Sequence, residues 1–289
     1  MRLVFLGTPE AAVPSLRALV EAGHEVALVI SQPDRRRGRG TETSASPVKA
    51  AALELGLAVA DGLSALEGLE VDYGVVVAYG ELIPAEVLAR TPMLNVHFSL
   101  LPRWRGAAPV ERAILAGDLE TGVGIISLEA TLDTGPLHGE ARTTVDDKTA
   151  TELTNELAQM GAELLVQVLA DPERLASPQP QVGETTYAAK LSPEVFHLTP
   201  DMTLEQALRV VRLERAFVRV NGRRLRVMRA GRSDVPSAPG RIVAEGVSVG
   251  LGFADATMDL VFVQPEGSRS MTAAAWWAGA RLLGEIEWE

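Results

Sequence analysis

Asn95 and His97 stand two residues apart at the end of an apolar, strand-like run, Met93-Leu94-Asn95-Val96-His97. In extended backbone their side chains point to the same face, so one strand end offers an amide and an imidazole together. Pro102, Gly106 and Pro109 interrupt regular structure directly afterwards. That makes residues 95–109 a turn leaving a strand, the place where open α/β sheets hold their ligands. A single carboxylate, Asp133, lies further on in the turn cluster Thr131-Leu132-Asp133-Thr134-Gly135-Pro136. These three residues have the parts for acyl transfer to an amine. The attacking amine sheds a proton while the acyl oxygen gains negative charge, so the site needs a group that titrates near neutrality and a fixed hydrogen-bond donor. His97 is of the first kind and Asn95 of the second, with Asp133 to orient the imidazole and hold its proton. The residue types by themselves leave a structural reading open: a strand-end Asn in a turn, a satisfied core His and a helix-capping Asp.

Other chemistries are limited by composition. No cysteine occurs in the 289 residues, which excludes thiol catalysis, disulfides and thiolate metal sites. His24, His138 and His197 stand alone without metal-like spacing, so no metal site is expected. No apolar run approaches the roughly 20 residues of a membrane span, and the apolar start runs into Gly7-Thr8-Pro9-Glu10 without the pattern of a signal peptide. A soluble, cytoplasmic, monomeric protein is the expectation. The net charge of -11 argues against broad nucleic-acid affinity, but the basic residues are bunched. Arg35, Arg36, Arg37 and Arg39 form one cluster, Arg103, Arg105 and Arg112 a second, and residues 209–229 a third interrupted only by Glu214. Such patches either bind RNA locally or are solvated faces.

The elements that must position these residues follow from the pattern. Residues 2–6 read as a buried strand, Thr8 and Pro9 as the cap and first position of a helix stopped by Gly23, and residues 25–30 as the next strand. This β-α-β start fits a parallel sheet covered on both faces. Gly7-Thr8-Pro9 lacks the glycine spacing of a dinucleotide fingerprint. Residues 31–47 form a long polar loop, with a flexible arm for a phosphate backbone or a surface excursion as its alternatives. A helix over 47–55, a strand over 57–60 and a buried strand over 72–79 follow, the last delivering Tyr79 and Gly80 beside the Asn95 strand. Residues 149–170 make an amphipathic helix with Leu153, Leu157, Met160, Leu164, Leu165 and Val168 on its core face. The Pro-, Ser-, Gln- and Gly-rich residues 171–200 read as a passage between domains. Beyond them come a helix from Leu204, a hairpin around Asn221-Gly222 and several short strands, which suggest a small barrel of the oligonucleotide-binding kind. The domain expectation is 1–188, a linker over 189–204, and 205–289.

The string Asn95-x-His97-x-Ser99-Leu100-Leu101-Pro102, followed by Leu132-Asp133-Thr134-Gly135, resembles the signature of the folate-dependent formyltransferases. The likeness continues through Gly7-Thr8-Pro9, Gln32-Pro33-Asp34-Arg35, Val77-Ala78-Tyr79-Gly80, Tyr187-Ala188-x-Lys190-Leu191-Ser192 and Val263-Gln264-Pro265-Glu266-Gly267, and so covers almost the whole chain. It implies a Rossmann-like, mostly parallel α/β formyltransferase domain followed by a small OB-like β-barrel domain. It implies formyl transfer from 10-formyltetrahydrofolate to the α-amine of methionyl initiator tRNA, with Asn95, His97 and Asp133 catalytic. Ser99, Leu100, Leu101 and Pro102, with Val77, Ala78, Tyr79, Gly80, Leu82 and Ile83, would hold the folate. Arg35, Arg36, Arg37, Arg39, Arg223 and Arg224 would meet the tRNA. A formyltransferase acting on a small amine, or a noncatalytic RNA-binding relative, is the alternative. Two departures from the family pattern stand out. Thr41-Glu42-Thr43 replace lysines in the arginine loop, and Val211-Arg212-Leu213-Glu214 replaces a proline-containing turn, so the helix from Leu204 is expected to run on.

Overall fold

A computed structural model describes residues 1–36, 43–280 and 287–289. The chain divides into two compact units, one of residues 1–110, 120–144 and 153–189, the other of residues 111–119, 145–152 and 190–289. The first is built on a seven-stranded sheet in the order Leu137–Thr144, Glu120–Ser127, Met93–His97, Tyr73–Val77, Arg2–Gly7, Glu25–Ile30, Val59–Ala60. Neighbours from Met93–His97 to Val59–Ala60 run parallel, while Glu120–Ser127 is antiparallel to both of its neighbours. Leu3 to Leu6 and Val75 to Val77 are buried without alternation, the mark of strands covered on both faces. The result is a Rossmann-like sheet with Met93–His97 near its middle.

Helix Ala150–Ala170 buries Leu153, Leu157, Leu164, Leu165 and Val168, with Met160 half-buried. A Cβ at its Gly161 would stand 2.7 Å from Val96 Cγ1, so only glycine lets the helix seat this closely on the strand that carries Asn95 and His97. Pro47–Glu54 is capped by Ser46, whose Oγ accepts from Lys49 N at 2.9 Å. The start of the chain departs from expectation. Thr8 caps no helix: a short 3₁₀ turn, Glu10–Ala12, precedes the helix Val13–Glu21, and the Thr8 hydroxyl donates to Tyr79 O at 2.9 Å. A tertiary acceptor has taken the group that the local pattern assigns to a cap, and the bond ties the 78–80 turn to the first strand end.

The second unit holds an antiparallel sheet in the order Phe217–Val220, Arg223–Arg232, Thr257–Pro265, Ser248–Gly252, Ile242–Glu245, with Met271–Thr272 paired to Thr257–Pro265. Asn221 (φ 50°) and Gly222 (φ 72°) make the expected hairpin turn. Leu204, Val218, Val227, Leu251, Phe253 and Trp288 belong to its core. Trp288 N donates to Gly240 O and Glu289 N to Arg219 O, both at 2.9 Å. Helix Leu204–Val211 opens with a capping box of Thr203 and Gln206. It does not run on as expected. Glu214 lies at φ 60°, its carbonyl accepts from Arg226 and its carboxylate from Thr151 N at 3.1 Å. The left-handed backbone ends the helix without a proline. No helix among the described residues is long and apolar enough to cross a membrane.

Candidate active site

The strand Met93–His97 places Asn95 and His97 on one face as its period requires, and both border a cavity of about 520 Å³, within the range of small-molecule sites. His97 is 5 % exposed and Asp133 7 %. The imidazole Nε2 faces Trp104 O at 3.0 Å. A carbonyl only accepts, so Nε2 carries the hydrogen and the tautomer is fixed. The other nitrogen, Nδ1, lies 3.7 Å from Asp133 Oδ2. Asn95 Nδ2 donates to Asp133 Oδ1 over a long 3.4 Å, and Gly106 N donates to Oδ2 at 2.8 Å. Amide, imidazole and carboxylate therefore converge on one cavity wall.

Backbone conformation supplies much of this geometry. Ala78 (φ 47°), Trp104 (φ 63°) and Asp133 (φ 52°) all lie in the left-handed region although none is glycine. Such residues cost on the order of 1–3 kcal/mol each and persist where surrounding structure over-determines them. Here the surroundings are visible. Trp104 N donates to Thr186 Oγ1 and Arg105 N to Thr186 O, both at 2.9 Å, and Arg105–Gly106 pairs with Tyr187–Ala188. At Gly106 (φ 122°) a Cβ would stand 2.9 Å from Ala188 O, so the close pairing that aims its N–H at Asp133 needs glycine.

Ala78, Tyr79, Gly80, Leu82, Ile83 and Leu132 also line the cavity. Leu82 is 80 % and Leu132 51 % exposed, which leaves two large apolar side chains in solvent beside a cavity. Tyr79 is buried, and its hydroxyl has no hydrogen-bond partner among the described residues. Burial, and secondarily the Glu81 carboxylate, pushes its phenol above the ordinary range.

The other residues singled out from the sequence stand elsewhere. Val77 is fully buried in its strand and does not line the cavity. Ser99 to Pro102 lie in the turn that leads into Trp104: Ser99 Oγ donates to Arg103 O at 2.7 Å, Leu101 and Pro102 are buried, and none of the four lines the cavity. Arg35–Arg36 pairs antiparallel with Thr43–Ser44; Arg37 and Arg39 lie outside the described residues. The foot of that loop is held by Lys49 Nζ, 3.1 Å from Asp34 Oδ1. Arg223 and Arg224 are exposed in the second unit, where Arg224 lies 3.9 Å over the Phe217 ring. Sequence reasoning missed Trp104 O, Gly106 N–H and the segment around Thr186. The first two are backbone groups, and the third lies in a stretch whose composition reads as a connector.

Known proteins share this arrangement of chain. The formyl transferase family profile matches residues 1–169. The chain is 43 % identical over 290 residues to a methionyl-tRNA formyltransferase of Rhizorhabdus wittichii, covering 94 % of this chain and 93 % of that one. It is 41 % identical to the methionyl-tRNA formyltransferase of Paracoccus denitrificans, over 99 % and 100 % of the two chains. Among solved structures, WlaRD, a sugar 3N-formyl transferase crystallised in the presence of dTDP and 5-N-formyl-THF, superposes with a TM-score of 0.71 at 15 % identity, over 93 % of this chain and 99 % of that one. The chain belongs to the formyl transferase family, on its methionyl-tRNA formyltransferase branch.

Proposed function

We infer that the enzyme transfers the formyl group of 10-formyltetrahydrofolate to the α-amine of methionyl initiator tRNA, giving N-formylmethionyl-tRNA. The observation that carries this reading is the convergence of Asn95, His97 and Asp133 on one cavity, in a chain so similar to methionyl-tRNA formyltransferases. The cavity suits the folate. Its volume is adequate, the turn at residues 78–80 presents backbone groups to a flat heterocycle, and Leu82 and Leu132 offer apolar cover. Ala78, Tyr79, Gly80, Leu82 and Ile83, which border the cavity, are the holding residues in this proposal; Val77 and Ser99 to Pro102, expected to hold the folate with them, do not border it. When bound, 10-formyltetrahydrofolate supplies the electrophilic formyl carbon.

The protein's own groups then divide the work. Asn95 Nδ2, held by the long contact to Asp133, is the donor for the oxygen that gains charge. His97 has Nε2 committed to Trp104 O, so Nδ1 is the nitrogen that takes the proton the amine sheds, with Asp133 Oδ2 facing it. Nδ1 then gives that proton up to the tetrahydrofolate nitrogen as that nitrogen's bond to the formyl carbon breaks. Gly106 N–H keeps the carboxylate aimed. Arg35, Arg36, Arg37 and Arg39 on the long loop, and Arg223 and Arg224 in the second unit, are proposed to meet the tRNA backbone. In this reading residues 1–188 catalyse, 189–204 connect, and 205–289 form a small OB-like barrel. The bonds from Trp288 and Glu289 to the backbone beside the two outermost strands support such a closure. The enzyme is proposed to act as a cytoplasmic monomer.

Formylation of methionyl-tRNA by Asn95→Ala and His97→Ala tests the assignment. Each is expected to lower kcat by about 10²–10³-fold. A near-normal rate in either variant removes that residue from the chemistry.

A further inference from the structure

Gln181 lies in the stretch that composition reads as a connector, yet it uses its whole hydrogen-bonding capacity beside the catalytic trio. Its Nε2 donates to Asp133 O and to Gly135 O, both at 2.8 Å. Its Oε1 accepts from Arg105 Nε at 3.1 Å and from Arg105 NH2 at 2.6 Å. Guanidinium groups only donate and carbonyls only accept, so the network dictates which end of the amide faces which loop. No other side-chain type of this length offers two donors on one end and a two-bond acceptor on the other. The two loops joined in this way are those that hold His97. Arg105 is flanked by Trp104, whose carbonyl takes the His97 Nε2 hydrogen, and by Gly106, whose N–H holds Asp133 Oδ2. Asp133 O belongs to the left-handed residue itself, at φ 52°. At Gly135 a Cβ would fall 1.8 Å from Ser127 O, so the loop is pressed against the sheet on its far side and held by Gln181 on the near side.

We propose that Gln181 is a positioning residue for formyl transfer, joining the Trp104–Gly106 turn to the Asp133 loop so that carboxylate and imidazole keep their mutual aim. The proposal rests on the reading of Asp133 as catalytic. It predicts a defect confined to the chemical step, since Gln181 is not among the residues bordering the cavity and a small misplacement of reacting groups costs up to about 10²-fold in rate.

The test is a kinetic cycle on the full-length enzyme with 10-formyltetrahydrofolate and methionyl-tRNA, using Gln181→Ala, Gln181→Glu, Asp133→Asn and Gln181→Ala combined with Asp133→Asn. Gln181→Glu retains an acceptor for Arg105 and lacks both donors to the loop. Both Gln181 variants should lose about 10- to 100-fold in kcat with both KM values and the melting midpoint near those of the parent. The combined variant should be no slower than Asp133→Asn, because a residue acting through another adds nothing once that one is gone. If Asp133→Asn is fully active, the catalytic reading itself fails. If Asp133→Asn is impaired while Gln181→Glu keeps its rate, or if the two losses multiply, or if the kcat loss merely follows a lowered melting midpoint, the positioning role is overturned. Should Gln181→Ala fail to fold, Gln181→Glu, alone and combined with Asp133→Asn, decides by the same criteria.

Discussion

Asp133 faces three groups of different kinds: a backbone N–H at 2.8 Å, an amide at 3.4 Å and, at 3.7 Å, the imidazole nitrogen that carries no hydrogen until it takes one up. Only the first has the length of an ordinary hydrogen bond. The carboxylate is thus anchored by Gly106 and left slack toward Asn95 and His97, the two groups proposed to change partners during transfer. Tyr79 presents the reverse case, a buried hydroxyl with no partner among the described residues. An unsatisfied buried hydroxyl costs on the order of 1–3 kcal/mol, so Tyr79→Phe should leave the ligand-free enzyme as stable as the parent or more so in urea denaturation at neutral pH. Its phenol is raised above the ordinary 10.0 by burial and by Glu81. The neutral form therefore carries the folded state below that value, and stability is lost as pH climbs through the raised one. Tyr79→Phe should lack that part of the alkaline loss; a clearly less stable variant would mean that the hydroxyl has a partner. At this scale the sequence was informative where side chains do the work. Asn95, His97 and Asp133 could be singled out as candidates from type, spacing and the family string, and they do meet at one cavity, whereas Trp104 O and Gly106 N–H carry no letter of their own.

The 103–108 turn is the element on which the trio depends, because it brings an acceptor to His97 and a donor to Asp133 within three residues. It is held by Thr186 and Ala188 through the N–H groups of Trp104, Arg105, Ala107 and Ala108. Gly106→Ala would put a Cβ 2.9 Å from Ala188 O at φ 122°, at a cost on the order of 1–3 kcal/mol. We expect lower stability in chemical denaturation together with a reduced kcat, and retention of both would refute the importance of this pairing. The sheet strands, the helix Ala150–Ala170 and the hairpin at Asn221-Gly222 follow from periodicity and turn chemistry because each is stabilised mainly by its own apolar face or its own glycine. The departures occur where a distant group competes. Thr8 bonds Tyr79 O instead of capping, Glu214 turns left-handed between Arg226 and Thr151, and residues 186–188 pair with a turn some eighty positions earlier (an offset that local pattern does not encode).

Across the whole molecule an acidic chain, net charge -11, carries its arginines in clusters, the distribution that local capture of a polyanion requires. Neutralising about four phosphates would make the KM for tRNA rise by about 10²-fold between roughly 50 and 200 mM salt. The KM for 10-formyltetrahydrofolate should change little, since its proposed site is largely apolar. Equal salt responses for the two substrates would argue against the arginine clusters as the tRNA contacts. The architecture itself is shared with formyltransferases of other acceptors, so fold does not identify the amine that reacts. The direct measurement is the initial rate of formyl transfer from 10-formyltetrahydrofolate to methionyl initiator tRNA and, at equal α-amine concentration, to free methionine, with the parent enzyme and with Asp133→Asn. The account predicts transfer to the charged tRNA, none detectable to free methionine, and a fall of about 10²-fold or more in Asp133→Asn. Comparable rates with free methionine, or an undiminished rate in Asp133→Asn, would contradict it.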